Sequence, residues 1–210
     1  MPFAISNAAP LLLLLAAAPA LAAVPEAGEG TITVLGGVRT IFPSNNAYLV
    51  EQGASHQQIQ PGGFASFGYQ YDESLHFHID IGYLIDRYRI PGGDLLVHSV
   101  PILLGLDTVL WRAPALTLYG GGGIGYSLNT GSRGGLNNEA NSTAGYLALG
   151  LRVRLAGPVA LVIEDRWTLA SARVDAANSK QTLNVGGNLL SLGLMLHFLQ
   201  PEEKSYTPAH

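Results

Sequence analysis

His76, His78 and Asp80 stand at alternate positions of Leu75-His-Phe-His-Ile-Asp-Ile-Gly-Tyr83. Residues two apart share one face of a β-strand. Two imidazoles and a carboxylate would therefore project side by side, a spacing able to ligate a divalent ion. The same trio can instead be hydrogen-bonded inside a closed interior. That is the reading adopted, with no metal and no cofactor expected. His98-Ser99 sets a base beside a nucleophile, but neighbouring strand residues point to opposite faces, so this pair forms no dyad. Gly120 to Gly123 lacks the Lys and the helix start of a phosphate-binding loop. Asn141-Ser142-Thr143 matches a glycosylation sequon and is read as a plain polar loop. No catalytic residue is expected.

The elements that would carry these residues are strands. Leu190-Ser-Leu-Gly-Leu-Met-Leu-His-Phe198 alternates strictly, with Leu190, Leu192, Leu194, Leu196 and Phe198 on one face. Eight such segments are predicted, over about 31–42, 63–72, 74–88, 95–110, 115–127, 143–155, 158–171 and 188–198. Most exceed the 5–6 residues of ordinary strands and reach the 9–11 that a tilted membrane-crossing strand needs. Connections alternate in length. Segments 43–62, 128–142 and 172–187 are long, Arg89-Ile-Pro-Gly-Gly-Asp94 is intermediate, and the turns at Asp72-Glu73-Ser74, Arg112-Ala-Pro114 and Ala156-Gly-Pro158 are tight. Outer-membrane barrels carry this asymmetry, with short periplasmic turns and longer outer loops.

Face composition separates a membrane barrel from a soluble lipocalin-like one, whose apolar face points inward. In 143–155 the apolar face is Leu147, Leu149, Leu151, Val153 and Leu155; the other holds Ala144, Tyr146, Ala148, Gly150, Arg152 and Arg154. In 74–88 one face is Leu75, Phe77, Ile79, Ile81, Tyr83 and Ile85, and the other His76, His78, Asp80, Gly82, Leu84 and Asp86. Gly, Ala and Ser with a few paired charges suit the cramped lumen of an eight-stranded barrel. Arg39, Asp80, Asp107, Arg152, Arg154, Glu164 and Arg166 are therefore assigned to a lumen charge network, in which Arg152 is expected to pair with Asp80 or Glu164. Phe64, Leu103 and Tyr146 are expected inside as bulky fillers. Phe42, Tyr71, Tyr88, Trp111, Tyr126 and Phe198 lie near strand ends and read as aromatic girdles. Asp165 breaks the pattern. Unbroken alternation turns it toward lipid, unless a β-bulge turns it inward or a protein partner covers it.

Composition agrees with a surface that is largely not in water. Of 210 residues only 12% are charged, and the only lysines are Lys180 and Lys204, where about 25% charged residues is usual. The net charge of −4 argues against a nucleic-acid partner. Residues 11–23, LLLLLAAAPALAA, end in Ala20-Leu21-Ala22, an A-x-A site, so 1–22 reads as an export signal. The run is too short for a spanning helix. No Cys is present for a lipid anchor or a disulfide.

Leu118-Tyr-Gly-Gly-Gly-Gly-Ile-Gly-Tyr126, Ala144-Gly-Tyr-Leu-Ala-Leu-Gly-Leu-Arg-Val-Arg154 and Pro158-Val-Ala-Leu-Val-Ile-Glu-Asp-Arg-Trp167 resemble late strands of the small outer-membrane β-barrel superfamily that includes OmpA, OmpX, OmpW and the Opa proteins. Ser191, Gly193, Leu196 and Phe198 resemble the signal read by the barrel assembly machinery, a polar residue followed by Gly and two hydrophobic positions ending in an aromatic. The resemblance implies an all-β, eight-stranded, antiparallel, up-and-down transmembrane β-barrel. Its expected organisation is a signal peptide at 1–22, a periplasmic segment at 23–30, the barrel at 31–198 and a periplasmic tail at 199–210. The His-x-Ser-Asn signature of outer-membrane lipid A deacylases is absent from the late strands. No peptidoglycan-binding domain follows the barrel, so tethering to the cell wall is not expected.

The expected location is the outer membrane of a Gram-negative type of cell, reached by the signal peptide. The expected function is non-enzymatic: a structural or surface-interacting barrel, monomeric, in contact with outer-membrane lipid and lipopolysaccharide. An extracellular partner would be met through 43–62, 128–142 and 172–187. The alternative is a narrow pore or a transport path for small, apolar molecules. A soluble carrier or a lipid-modifying enzyme stands further off.

Overall fold

Backbone pairing carries the chain around a full ring. The computed structural model describes residues 27–41, 55–56, 59–90, 93–133, 136–139, 141–176, 179–184 and 186–198. The expected signal peptide, Phe42, most of segment 43–62 and the tail lie outside the described residues. The strands are β1 (Gly30–Ile41), β2 (Ser55–His56), β3 (Gln60–Gln70), β4 (Leu75–Ile90), β5 (Gly93–Ala113), β6 (Leu116–Arg133), β7 (Leu136–Glu139), β8 (Ser142–Arg154), β9 (Val159–Ala176), β10 (Ser179–Asn184) and β11 (Gly187–Phe198). Eight form the wall, in the order β1-β3-β4-β5-β6-β8-β9-β11, each antiparallel to the next. The ring shuts where β11 returns to β1, from Gly30 opposite Phe198 to Ile41 opposite Gly187. A closed ladder leaves no wall strand edge unpaired, the condition for placing β-structure in hydrocarbon.

The short strands all pair at the end away from the tight turns: β2 with β4, β7 with β6, β10 with β9. Segments read as long loops are thus partly strand. β6 runs on to Arg133 and β9 to Ala176, and each pairs with the short strand that follows it. Asn, Gly and Ser have low β propensity, but a neighbouring ladder supplies the hydrogen bonds that propensity does not report. Likewise Arg89–Asp94 is not a loop of intermediate length: Arg89 pairs with Asp94 and Ile90 with Gly93.

Side chains follow the alternation. Phe77, Ile79, Ile81, Tyr83, Leu104, Leu147, Leu149, Leu190, Leu192, Leu194 and Leu196 are exposed on the outside, while Phe64, Leu103 and Tyr146 are buried inside. Tyr71, Trp111 and Phe198 are exposed near strand ends, as a girdle requires, whereas Tyr126 is exposed in the interior of β6, which runs on to Arg133. Tyr88 is not part of a girdle. It is 3% exposed and packs inside with Leu84, Val97 and Leu103, because it shares the inward parity of Asp86.

Asp165 stays outward. Its register is continuous on both sides, opposite Leu149 and Leu190, so no bulge turns it. It is half-buried and accepts a hydrogen bond from Asn188 Nδ2. Val159 starts its strand six residues earlier, which puts it ~15 Å along the axis at ~3.3 Å per residue and ~40° tilt. The Asn amide partly meets the carboxylate's need for donors there.

The bulge lies elsewhere. Between β5 and β6, Val109 pairs with Tyr119 and Trp111 with Leu118, leaving Leu110 extra. Parity flips below it. Leu110 and Trp111 are both exposed outward, and Arg112, opposite Thr117, turns inward.

Tight turns are built by local polar contacts. Asp72 Oδ1 accepts from Ser74 N, Ser74 Oγ and Leu75 N at 2.7, 2.8 and 2.8 Å. The Ser74 hydroxyl, then the two amides, hold its carboxyl below the usual carboxylate range. Any stability the turn adds is therefore present at neutral pH and fades as pH falls through that lowered range. Gly157 has φ of 57°, the left-handed value that the Ala156–Pro158 turn requires.

Inward glycines make room for large polar partners. A Cβ on Gly121 would strike Asp107 Oδ1, and one on Gly105 would strike Tyr146 and His78. Around outward Gly36 no atom lies within 4 Å of a built Cβ. Gly121→Val should lower the urea midpoint of the barrel refolded in lipid vesicles, by about 1–3 kcal/mol of overpacking. Gly36→Ala should leave it unchanged or slightly raised. Equal effects would contradict the crowded lumen.

Candidate functional site

The lumen is where inward residues of all eight wall strands meet. Arg166, on β9, occupies its middle. Its Nη1 donates to Asp80 Oδ2 at 2.7 Å and its Nε to Glu164 Oε1 at 2.8 Å. The guanidinium lies between the rings of Phe64 and Tyr146, 4.3 and 4.2 Å from their centroids. Arg166 is 1% exposed and Asp80 0%. Charges buried this far need partners, and the fork of an arginine can serve two carboxylates while stacking on aromatic faces.

The network runs on from both acids. Asp80 Oδ1 is 2.7 Å from His78 Nδ1, and His78 Nε2 is 3.3 Å from Asp107 Oδ1 and 3.3 Å from the Tyr146 hydroxyl. Asp107 pairs with Arg152 and lies 3.4 Å from His76 Nδ1. His76 Nε2 meets Thr31 Oγ1 at 2.8 Å. On the other side Tyr119 donates to Glu164 Oε2 at 2.8 Å, and its ring carries the Arg152 guanidinium 4.1 Å from the centroid. Polar contacts thus form a loop through β4, β5, β6, β8 and β9, with Thr31 tying in β1. A second pair, Arg39 with Asp86, sits nearer the long-connection end and is buried.

Each expected residue has a definite place. Arg39, Asp80, Asp107, Arg152, Glu164 and Arg166 are buried in the lumen. Arg154 is half-buried at the short-turn end and makes no ion pair among the described residues. The pairing expected for Arg152 is corrected. Its partner is Asp107, while Arg166 holds both Asp80 and Glu164, because the barrel sets β8 beside β6 and across from β5 at this level. Asp86 was on the inward face of β4 by alternation but outside the expected network. Tyr119, Tyr146 and Thr31 are further members whose polar ends alternation could place inside but not pair.

Of the expected ligand trio, His76 and His78 stack, with centroids 5.3 Å apart. The carboxylate near both is Asp107 rather than Asp80, and the ligand atoms of His76, His78 and Asp107 lie within 4.8 Å of one another. Arg152 Nη2 bonds Asp107 and lies 3.4 Å from His76 Nδ1. A divalent ion entering here would have to displace a guanidinium. The space left among these groups is about 10 Å³, about one water. His98 and Ser99 face opposite sides: His98 Nδ1 meets the Tyr83 hydroxyl outside at 2.8 Å, and Ser99 is buried.

The assembly-signal residues lie on the closing strand. Ser191 is inside and donates to Glu164 O at 3.1 Å. Leu196 and Phe198 face outward, and a Cβ on Gly193 would strike the carbonyl oxygen of Val34 across the seam.

A closed ring of eight antiparallel strands, apolar outside and charged inside, is a transmembrane β-barrel. The family model of the outer membrane protein β-barrel domain matches residues 8–198, and the chain belongs to that family. No curated protein sequence matches it. Among solved structures the chain is similar to Neisserial surface protein A, with 16% identity, TM-score 0.57, and 82% of this chain and 98% of that one covered. It is also similar to outer membrane protein W of E. coli, with 16% identity, TM-score 0.52 and coverage of 82% and 99%. The outer membrane protein OprG of Pseudomonas aeruginosa matches with 12% identity, TM-score 0.52 and coverage of 83% and 98%. At such identities the likeness is one of fold.

Arg166→Leu should strand two acids in the lumen and cost about 3–5 kcal/mol of unfolding free energy in lipid vesicles. Arg152→Leu should cost less, since His76 and His78 remain beside Asp107. The urea midpoints of the two refolded variants check this, and an Arg166→Leu midpoint equal to the parent's would refute the central pairing.

Proposed function

We propose that this is a non-enzymatic barrel of the outer membrane of a Gram-negative type of cell. It is exported by residues 1–22, inserted through the barrel assembly machinery that reads Ser191–Phe198, and surrounded by lipid and lipopolysaccharide as a monomer. Its short-turn end faces the periplasm. Its long-connection end, with strands extended beyond the apolar band, presents binding surfaces to the outside. One observation carries the reading: the middle of the lumen is filled by paired charges that leave about 10 Å³ free. A layer packed in this way gives the bore little to offer a solute, and the reading therefore rests on the ends of the barrel.

A second reading has its own observation. A groove on the outer wall between β1, β3 and β4 is lined by Val34, Pro61, Ala65, Ile81, Tyr83 and Ile85, and reaches inward side chains such as Phe64 at Gly62 and Gly63. Phe64, Leu84, Val97, Leu103 and Leu189 form an apolar cluster in the lumen, beside the buried Arg39–Asp86 pair. On this second reading a small apolar molecule held in the groove would enter the upper lumen only where β1 parts from β3, since the two are paired there from Gly30–Tyr69 to Arg39–Gln60.

Planar bilayers separate these from a pore. The purified barrel should give no ohmic conductance, and steady conductance proportional to voltage would overturn the filled-lumen reading. Ala65→Phe, which fills the outer groove, should leave cellular uptake of a small apolar dye unchanged on the first reading. A loss of uptake would favour the second.

A further inference from the structure

The short-turn rim holds cationic groups that the lumen network leaves over. Between the 113–116 turn and the 155–158 turn lies a cavity of about 30 Å³, lined by Arg112, Thr117, Arg152, Arg154, Pro158 and His197. Its frame is rigid. Arg154 N donates to Ala115 O at 2.9 Å, and His197 N to Pro158 O at 2.8 Å, so each turn is fastened to the next strand.

Two of the lining residues carry an orphan donor: Arg112 Nε and Arg152 Nε are both buried with no hydrogen-bond partner among the described residues. The Arg152 side chain is 8% exposed, its Nη2 is engaged by Asp107, and its Cζ lies over the Tyr119 ring. Arg112 uses one terminal nitrogen on the carbonyl oxygen of Glu73. Ion pairs among the described residues reach this rim only as Arg152 with Asp107 and His197 with Glu29, the latter at 3.5 Å. Buried donors without acceptors are expensive, and an orphan in a native structure asks for a ligand or water to satisfy it.

The β5 bulge points the same way. With regular pairing, Arg112 would face outward. The extra residue, Leu110, turns it into the cavity and leaves Trp111, 52% exposed, on the outside. Bulges beside functional sites re-aim side chains in this manner. Trp111 sits where an interfacial aromatic marks headgroup depth, so the cavity lies at the level of lipid phosphates.

We propose that this rim is a binding site for a phosphate group, held by the guanidinium groups of Arg112, Arg152 and Arg154, with His197 beside them. Arginine forks match phosphate oxygens. The cavity has room for two or three water-sized atoms, the size of one oxygen face of the group. Its phosphate comes either from a lipid headgroup of the adjoining leaflet or from solution.

The test uses the full chain folded in maltoside micelles, which carry no phosphate, with arginine side-chain Nε–H signals followed by NMR. One arm adds inorganic phosphate, a second adds short-chain phosphatidic acid, and a third adds the matching diacylglycerol with chloride. Saturable shifts of the Arg112 and Arg152 signals are expected. If inorganic phosphate produces them, the source is soluble; if phosphatidic acid alone does, it is lipid. Arg112→Gln and, separately, Arg154→Gln should weaken binding about tenfold, with folding checked by gel mobility, while Arg87→Gln at the opposite end should not. No saturable shift in either phosphate arm, an equal shift with chloride, or equal binding by both rim variants would overturn the proposal.

Discussion

Arg166 held between Asp80 and Glu164 is the interaction on which the rest of the interior depends. The exterior of this barrel is given to lipid, so most charges at mid-strand lie in a lumen too narrow for bulk water. A single guanidinium there pairs with two acids from two strands and is clasped by two rings. Asp80 then reaches His78, and Glu164 reaches Tyr119, so the same pair of acids organises both branches of the loop that ends on Arg152 and Asp107. Removing a partner from such a set leaves a buried charge without compensation, whereas an apolar lumen would have no comparable preference for one register of the wall.

Backbone and side-chain size serve that arrangement. Gly105, Gly121 and Gly150 lie where a Cβ would collide with His78, Asp107 or Tyr119. The one register shift between β5 and β6 separates two electrostatic regions. Above it Asp107 is paired within the loop. Below it Arg112 joins Arg154 at a rim where the Glu29 carboxylate meets His197. The interior is thus nearly balanced in the middle and cationic at the short-turn end.

Much of this was legible in sequence because strand alternation in a barrel has one meaning per face. Leu147 to Leu155 and Phe77 to Ile85 fix the outward parity of β8 and β4, and with it the inward parity of Arg152, Asp80 and Asp86. Alternation states which side a residue faces, not which strand lies across the lumen. Arg152 was accordingly matched to the wrong acid, and Asp107 was overlooked as neighbour to both histidines. Tyr88 was misplaced for a related reason: proximity to a strand end suggested a girdle, while its parity with Asp86 put it inside. The bulge at Leu110 was invisible, since nothing in Val109-Leu-Trp-Arg112 distinguishes an extra residue from a regular one. Gly- and Asn-rich hairpin extensions were hidden because their strand character comes from neighbours.

The central claim is a closed barrel whose outer wall is solvated by lipid and whose interior is filled. The direct measurement is electrophoresis of the outer-membrane fraction in SDS, with one sample unheated and one boiled. A ring without wall edges should survive cold SDS and run at a mobility distinct from that of the boiled chain. A protein found in the soluble periplasmic fraction, with identical mobility in both lanes, would contradict the account and reverse its assignment of inside and outside.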